Sequence, residues 1–536
     1  MYFSESTSTA NSAPSSTCRS CVVTSLPLTA FAPAVLLLAA FFFLLRQGPR
    51  PGRLLLLANM AAAAGLALGL AGVVQLLLAG QQVLSLGGVA ILRLNPVSAT
   101  MILLVSFVGW VVVRYSSRYL DGEQREGRFH GLILAAVASV LVTVQAANLP
   151  VLILGFVMIG LLLRQLLLFY PERAEARRAA TKFTGVWAAG DVSLVLASAI
   201  LWITQGTLNF VALGATSELT PVAQLGIGLL VLASVLKTAA LPTHGWVTEV
   251  MEAPTPVSAL LHAGIINSGG VMLIMLAGLV QQSPGAMGVL VAIGGLTALF
   301  GALVMLTQSA VKTALAWSTI AQMGFMLLQC GLGLWPLALL HIVAHSLYKA
   351  HAFLSSGKAV REVNAIRKPG PVAVPSIAAV TRSFVLGLVL FAGVAAIFSV
   401  LGGHKSPQAL ALGTILVFGV SYLIAQGLAD AAPAALTRRT VGASLATTIA
   451  YFAFQWVAQA LWGSSLPAVP TAGPLEWALI VLAVSSFGLV AFAQALFPLW
   501  AHHPTTAGLR VHVANGFYLN ALLDRFLGGF QLAHKQ

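Results

Sequence analysis

Two ionisable residues stand inside neighbouring apolar stretches of the sequence. Lys237 lies deep in one stretch, and the nearby Pro242 lacks a backbone N–H, which favours a break in a helix at this point. Such a break leaves carbonyl and amide groups free beside the ammonium group, as in the ion sites of transporters. His262 lies in the next stretch, roughly 10 Å below its proline-rich start at a rise of 1.5 Å per residue. Because Lys and His side chains can both exchange protons, the two residues are typical of a proton relay.

A third apolar stretch carries three ionisable residues in a row. His341, His345 and Lys349 follow i, i+4, i+8 spacing, which places them on one helix face with neighbours about 6 Å apart. One water molecule can bridge such a gap, so the row is typical of a proton wire. A metal site is the alternative, although the stretch has no Cys or carboxylate to complete one. Lys312 begins the preceding stretch, where it is either an interfacial anchor or a link between the two lysine sites.

Two carboxylates are candidates for the charge partner of Lys237. Asp191 lies within an apolar stretch, and Glu252 precedes the stretch of His262, where the helix dipole favours an anion. The alternative for Asp191 is a structural pair with a nearby cation such as Arg164. Since the sequence has no phosphate-binding GxxxxGK[ST] loop and no CxxCH haem motif, we expect no cofactor and no metal in this chain.

The composition shows which elements must position these residues. Of 536 residues, 58% are hydrophobic and only 8% are charged, and the mean hydropathy is +0.93. These values exclude a soluble enzyme, a disordered protein and a disulfide scaffold, and they predict an all-α polytopic membrane protein with about 14–15 transmembrane helices. We place the spans near 27–45, 54–80, 97–113, 131–147, 149–170, 185–204, 222–242, 255–280, 286–307, 313–332, 335–356, 376–402, 409–428, 440–462 and 475–498.

The charge balance predicts the orientation of these spans. There are 28 Lys and Arg residues against 14 Asp and Glu, and most of the cations fall in alternate connections between spans. The opposite connections hold only Arg19, Arg93 and Lys405. Because cytoplasmic loops carry the excess of Lys and Arg, the N-terminus is predicted outside and the C-terminus in the cytoplasm. Such dispersed basic residues do not form a patch for nucleic acid, so we expect a multi-pass membrane protein with no nucleic-acid partner, and the resemblance described below implies a bacterial inner membrane.

Four motifs resemble those of the proton-translocating, antiporter-like subunits of respiratory complex I and of Mrp antiporters. They are Lys237–Trp246 (KTAALPTHGW), Met251–His262 (MEAPTPVSALLH), Lys312–Phe325 and His341–Lys349. The resemblance covers roughly residues 95–360. It implies two inverted repeats of five helices, each forming a proton half-channel, with interrupted helices at the seventh and twelfth positions.

The same resemblance implies roles for individual residues. The implied proton relay comprises Lys237, His262, Lys312, His341, His345 and Lys349. The sequence also departs from the family. The fifth helix of the family carries a glutamate that pairs with the seventh-helix lysine, and Val157 stands at that place here. The twelfth span, near 376–402, lacks the central charged residue of the second half-channel, so we expect a degenerate second repeat.

With these departures and with the ending Arg510–Tyr518 (RVHVANGFY), the sequence resembles the DabB family. Its members are membrane subunits of two-component bacterial inorganic-carbon uptake systems. That resemblance implies a peripheral DabA-like partner that is similar to a β-carbonic anhydrase and carries the zinc. The membrane subunit would let ions run down their gradient and so drive hydration of CO₂ by the partner, with no catalytic site of its own. An Mrp-type cation/proton antiporter subunit and a subunit of a complex I-like oxidoreductase are the alternatives. The sequence leaves open whether the ion is H⁺ or Na⁺.

The predicted organisation is one membrane domain with two tails. The N-terminal tail contains Cys18 and Cys21, a CxxC without a second pair to complete a zinc site. The C-terminal tail has apolar residues at nearly helical spacing, which predicts a helix on the membrane surface, on a partner, or on its own bundle. The predicted units are a disordered tail (1–26), N-terminal helices (27–130), a first repeat (131–282), a second, degenerate repeat (283–428), C-terminal helices (429–499) and an amphipathic tail (500–536) that is a candidate for docking a partner.

Overall fold

The computed structural model describes residues 26–216, 219–365, 376–402, 405–427, 434–496 and 503–526. Within these residues the chain is a bundle of helices with one small β-hairpin. The expectations for the tail up to residue 25, including Cys18 and Cys21, lie outside the described residues.

The N-terminal part of the bundle contains long helices on both sides of a hairpin. In chain order its elements are α1 (Phe31–Phe43), α2 (Arg53–Ala79), β1 (Gln82–Leu86), β2 (Val89–Leu94), α3 (Pro96–Tyr119) and α4 (Glu126–Gln145). The hairpin is antiparallel and was not predicted from the sequence. It is tied to the bundle by a bridge between Leu92 and Ala146 and by a hydrogen bond from Arg93 to the carbonyl of Met275 (3.2 Å).

The middle of the chain holds the predicted first repeat and the start of the second. Its helices are α5 (Leu149–Leu167), α6 (Ala174–Gln205), α7 (Phe210–Gly214), α8 (Pro221–Lys237), α9 (Gly245–Glu249), α10 (Thr255–Ala263), α11 (Ser268–Met275), α12 (Ala277–Val280), α13 (Pro284–Met305), α14 (Val311–Gly331) and α15 (Trp335–Ala365). The C-terminal part comprises α16 (Ile377–Gly402), α17 (Pro407–Gly427), α18 (Ala434–Trp462), α19 (Pro474–Ala495), α20 (Ala507–Ala514) and α21 (Leu519–Phe526).

The helices confirm an all-α polytopic membrane protein. Among the described residues, 11 helices are long and apolar enough to cross a membrane, and three more apolar helices are shorter. Every span placed from the sequence overlaps a helix of the structure. Helix α14 is in neither group, although it lies inside the bundle with Thr319 and Met323 fully buried.

The seventh span is interrupted, as the resemblance implies. Helix α8 ends at Lys237, and the backbone is not helical again until α9 begins at Gly245. Ala239 within the break has a φ of 53°, a left-handed conformation that ends a regular helix. The following span, predicted as one helix, also breaks directly after His262, between α10 and α11.

The twelfth span is not interrupted, contrary to the expectation. The resemblance implied an interruption there, but α16 runs from Ile377 to Gly402 as a single helix. Its sequence contains no proline, and its middle carries no charged side chain that would need free backbone dipoles. The second repeat therefore lacks both the break and the charge.

Helices α13 and α14 pack unusually closely because glycines face each other across their contact. A Cβ atom on Gly294 would lie 2.5 Å from the backbone nitrogen of Leu328, and one on Gly324 would lie 2.4 Å from that of Ala298. Small residues at such contacts let helix backbones approach in a membrane. This contact holds α14, which carries Thr319, against the rest of the bundle.

We predict that Gly294→Val lowers the melting temperature of the detergent-solubilised protein, by the equivalent of about 1–3 kcal/mol for overpacking. Gly295→Val is the matched control, because a Cβ on the neighbouring Gly295 meets no atom within 4 Å. Both variants have the same helix propensity, so the difference in melting temperature reports the close contact alone. Equal melting temperatures would contradict the packing described here.

Candidate functional site

Lys237 and Asp191 form an ion pair inside the bundle. The Lys237 Nζ lies 2.6 Å from the Asp191 carboxylate, and the exposed fractions of the two side chains are 0% and 17%. The ammonium group also lies 4.1 Å from the ring centroid of Trp187 and 4.7 Å from that of Phe156. A carboxylate and two aromatic faces thus replace the water that a cation loses when it is buried.

The sequence around this pair gives α8 room to approach α6. A Cβ atom on Gly190 would lie 3.3 Å from the Cγ of Lys237, so a larger residue would push the lysine away. Trp187 is held by a hydrogen bond from its Nε1 to the carbonyl of Phe156 (2.9 Å). Gly160 provides the space for the indole, since a Cβ there would lie 2.5 Å from the Trp187 ring. The position of Lys237 is therefore set by packing on three helices.

The break after Lys237 is held by specific hydrogen bonds. The backbone nitrogen of Leu241 donates to the Thr297 hydroxyl (3.1 Å), and the Thr238 hydroxyl donates to the carbonyl of Ser234. His244 is buried, with its Nδ1 3.2 Å from the carbonyl of Pro242. These contacts satisfy backbone groups that a regular helix would have paired.

His262 and Lys349 belong to one connected polar cluster. The Nδ1 of His262 lies 3.0 Å from the Thr319 hydroxyl, which in turn donates to the carbonyl of Leu315 at 3.0 Å. The Lys349 Nζ donates to the same carbonyl at 3.0 Å. The His262 ring is stacked on Phe353, with the ring centroids 4.4 Å apart. The tertiary structure thus joins residues of α10, α14 and α15 that the sequence placed on separate spans.

His341 and His345 continue this cluster towards a cavity. Their ring centroids are 6.1 Å apart, as expected for i, i+4 neighbours. Both residues line a cavity of about 650 Å³, to which Ser318, Gln322 and Tyr451 also contribute polar atoms. His345 is 95% buried, and neither of its ring nitrogens has a hydrogen-bond partner among the described residues. Water molecules in such a cavity would supply the hydrogen bonds that these ring nitrogens lack.

The remaining candidates lie elsewhere. Lys312 is half-buried in the first turn of α14, three residues before Leu315. Glu252 is 3.8 Å from Arg173 at a half-exposed site, and the intramembrane carboxylate that reaches Lys237 is Asp191. Arg164 is exposed and is not the cation that Asp191 pairs with.

Lys237 and His262 share no direct hydrogen bond among the described residues. Each has a buried serine about one turn earlier on its own helix, Ser234 and Ser258 respectively. The hydroxyl oxygens of both serines and the Nε2 of His262 are buried, and none has a hydrogen-bond partner in the described part of the chain. Water bridging between such groups would complete the path.

A second polar cluster lies beside α6, and the sequence analysis gave it no functional role. We call it the Lys182 cluster; it comprises Arg178, Lys182, Glu249, Asn520 and Asp524. The Lys182 Nζ lies 2.6 Å from Asp524 and 3.0 Å from Glu249. The only signal in the sequence was the i, i+4 spacing of the two cations on α6. Among the described residues, no group of three or more His, Cys, Asp or Glu side chains could hold a metal ion.

Comparison with known families gives two matches. Residues 146–369 match the family described as NADH:quinone oxidoreductase/Mrp antiporter, transmembrane region. Residues 89–130 match the N-terminal region of chain 5 of NADH-ubiquinone oxidoreductase, complex I. The first match includes Lys237, His262 and the row from His341 to Lys349.

Individual relatives point to the same group. The chain is 36% identical over 483 residues to the "Probable inorganic carbon transporter subunit DabB2" of Halothiobacillus neapolitanus, and the match covers 86% of each chain. It is 43% identical over 272 residues to the "Probable inorganic carbon transporter subunit DabB" of Hydrogenovibrio crunogenus, covering 50% of this chain and 52% of that one. For subunit L of the NADH-quinone oxidoreductase of Escherichia coli, the identity is 35% over 278 residues, 50% of this chain and 45% of that one.

Solved structures show the same fold. A chain of the Mrp complex from Dietzia sp. DQ12-45-1b superposes with a TM-score of 0.60 at 21% identity, covering 94% of this chain and 59% of that one. A chain of the archaeal membrane-bound sulfane sulfur reductase gives a TM-score of 0.57 at 17% identity, with coverage of 92% and 99%. The chain belongs to the antiporter-like family of membrane subunits that includes chain 5 of complex I and the DabB subunits.

Proposed function

We propose that this protein is a proton-conducting membrane subunit that couples the proton gradient to inorganic-carbon uptake. The observation that carries the proposal is the fully buried Lys237 ammonium group, paired with Asp191 at 2.6 Å where α8 breaks. A lysine in the membrane interior that has a single carboxylate partner can release a proton and recover it. The similarity to proteins named inorganic carbon transporter subunits supports the carbon substrate.

The geometry supports a defined order of proton transfer. A proton reaches the Lys237–Asp191 pair, and the next titratable group along the bundle is His262. His262 is hydrogen-bonded to the Thr319 hydroxyl, and Thr319 and Lys349 both donate to the Leu315 carbonyl, so water beside that carbonyl would carry the proton on to Lys349 and the histidines of α15. The proposed route therefore needs water between Lys237 and His262 and between Thr319 and Lys349. Lys312, in the first turn of α14, lies beside this route.

The degenerate second repeat favours coupling to a partner over redox pumping. Helix α16 has neither a break nor a central charge, so among the described residues it offers no second path beside the proposed one. A conductor that drives a peripheral subunit needs only one path. In the proposed assembly a DabA-like subunit carries the zinc and hydrates CO₂ to bicarbonate and a proton, while this chain supplies the ion flow. The cytoplasmic side of the bacterial inner membrane is the proposed location of that subunit, since the basic loops and the C-terminal tail are predicted on this side.

We predict that Lys237→Ala abolishes carbon uptake by cells that express the chain together with its partner, because the path loses the group that accepts the proton. Bicarbonate accumulation is the measurement, and copurification of the two subunits shows whether the complex still assembles. Arg164→Ala is the matched control, since Arg164 is also a cation within a predicted span but is exposed and lies outside the relay.

Normal uptake by an assembled Lys237→Ala complex would refute the proposed function. Vesicle measurements separate the alternatives. A proton current that does not depend on Na⁺ supports the proposal, whereas Na⁺-dependent proton exchange would favour an Mrp-type antiporter subunit.

We also predict that Thr319→Val slows proton flux roughly fivefold, the factor that corresponds to about 1 kcal/mol for one lost hydrogen bond. The change keeps the side-chain volume but removes the hydroxyl between His262 and the Leu315 carbonyl. Thr204→Val is the control, because the Thr204 hydroxyl also donates to the carbonyl four residues earlier but lies outside the relay. Equal fluxes in the two variants would remove Thr319 from the path.

A further inference from the structure

Arg93 is a cation of the β-hairpin whose side chain is turned towards the helices. Successive side chains of a strand point to opposite faces, so Arg93 lies on the other face of β2 from its buried neighbours Leu92 and Leu94. Its Nη2 donates to the carbonyl of Met275 at the end of α11 (3.2 Å). Its guanidinium group lies 5.2 Å from the ring centroid of Phe210 on α7. Arg93 therefore lies between the hairpin and two helices of the first repeat.

The charge of Arg93 has no counter-charge among the described residues. The ion pairs within the described part of the chain do not include Arg93. The residue is half-buried, and its Nε atom is buried without a hydrogen-bond partner there. The Met275 carbonyl lies at a helix end and supplies only a fraction of a negative charge. Because removing a cation from water is costly unless an anion compensates it, Arg93 favours an anion from outside these residues.

A cavity of about 310 Å³ lies beside the guanidinium group. The polar side chains that line it are Arg93, Asn95, Ser464 and Ser465, and none of the lining residues is acidic. The Oδ1 of Asn95 accepts a hydrogen bond from the backbone nitrogen of Ser98 at 2.8 Å, so the side-chain amide hydrogens of Asn95 are left for another partner. The cavity thus presents a positive charge together with amide and hydroxyl donors.

The walls of this cavity are tied to one another. Gly214 of α7 and Gly278 of α12 lie against each other, and a Cβ atom on Gly278 would be 3.2 Å from the Cα of Gly214. The side chain of Gln282 donates to the carbonyls of both glycines, at 3.3 Å and 2.8 Å. Near the two serines, the Nε1 of Trp462 donates to the Thr100 hydroxyl at 2.9 Å and so ties the end of α18 to α3. The fold itself therefore maintains the cavity.

The size of the cavity and the shape of the guanidinium group both suit a small oxyanion. One water molecule occupies about 30 Å³ in the liquid, so the cavity has room for a group of several heavy atoms with water around it. A guanidinium group binds two oxygens of one carboxylate or phosphate group at once, which a halide ion cannot match. Arg93 therefore favours an oxyanion over chloride.

We propose that this cavity binds an oxyanion, with Arg93 as the charged ligand and with Asn95, Ser464 and Ser465 as neutral donors. The group that fits is a carboxylate, bicarbonate or phosphate group, either on a free anion or in the headgroup of a membrane lipid. The inference goes beyond the proposed function and does not depend on it, because none of the residues of the proton route lines this cavity.

The first arm of the test measures binding of inorganic phosphate and bicarbonate to the full-length chain in maltoside detergent, which contains no phosphate group. We predict that Arg93→Gln weakens this binding at least about tenfold, because the charge-assisted, paired hydrogen bonds are lost. Calorimetric titration gives the dissociation constants, and chloride at the same ionic strength controls for a salt effect. Arg114→Gln is the matched control, since Arg114 also packs on an aromatic ring, that of Trp110, but is exposed and lies outside the cavity.

The second arm adds phosphatidylglycerol to the same micelles and measures retained lipid by native mass spectrometry. A site for free anions binds phosphate, and wild type and Arg93→Gln then retain the lipid equally. A site for a lipid headgroup does not bind free phosphate, and Arg93→Gln then retains at least about tenfold less phosphatidylglycerol than wild type.

Arg93→Lys keeps the test decisive if Arg93→Gln does not fold. The change keeps the positive charge but removes the paired contact, so binding should weaken at least about threefold in the arm that shows it. Equal binding by wild type and by every Arg93 variant that folds, in both arms, would overturn the proposal.

Glu218 provides an internal alternative to a bound ligand. It follows Gly214 by four positions in the sequence and lies outside the described residues. A pair between Arg93 and Glu218 predicts that Glu218→Gln lowers the melting temperature as much as Arg93→Gln, with no further loss in the double variant. That result would overturn the proposal, whereas unchanged binding of phosphate or lipid by Glu218→Gln supports it.

Discussion

The burial of the Lys237 ammonium group is the constraint on which the rest of the structure depends. A cation in an apolar medium is stable only when opposite charge and dipoles replace its hydration. The chain meets this requirement with the Asp191 carboxylate at 2.6 Å and with the faces of Trp187 and Phe156. It also ends α8 at this residue, so that backbone groups become available beside the charge. The glycines at 160 and 190 make this packing possible because larger residues would collide with Trp187 and Lys237.

The position of the carboxylate shows how this site differs from the family pattern. Val157 occupies the place on α5 where the resemblance implied a glutamate. The anion comes instead from α6, the helix that also carries Trp187. The electrostatic requirement is a carboxylate within hydrogen-bond distance of the ammonium group, and either helix can satisfy it. One consequence is that Asp191 and Lys182 share a single helix, which connects the buried pair to the Lys182 cluster.

The two ends of the path have different surroundings. At one end, the cations and anions of the Lys182 cluster pair closely, and the rings of Phe183, Trp187 and Trp246 separate them from Lys237. At the other end, His341 and His345 border a cavity of about 650 Å³ whose polar lining can hold water. The uninterrupted α16 fits the same picture, since it provides no second break through which ions could pass.

Much of this arrangement was predictable from the sequence because it depends on local periodicity. Apolar stretches of sufficient length predict helices that cross a membrane, and every predicted span overlaps a helix of the structure. The break after Lys237 follows from a nearby proline, and the row His341, His345 and Lys349 follows from helical spacing. The interruption expected in the twelfth span was wrong because no proline or buried charge requires it there.

Tertiary structure alone decided which distant side chains meet. From the sequence, Asp191 and Glu252 were equal candidates for the partner of Lys237, and only the packing of α6 against α8 selects Asp191. The break after His262 and the contact of Asp524 with Lys182 likewise had no local signal, whereas the β-hairpin is marked by the turn glycines Gly87 and Gly88, which the prediction of spans passed over. The physical reason is that helical periodicity determines the face on which a side chain lies, whereas its partner depends on how separate helices pack together. Asn520 and Lys182 are 338 residues apart in the chain, and no local pattern connects them.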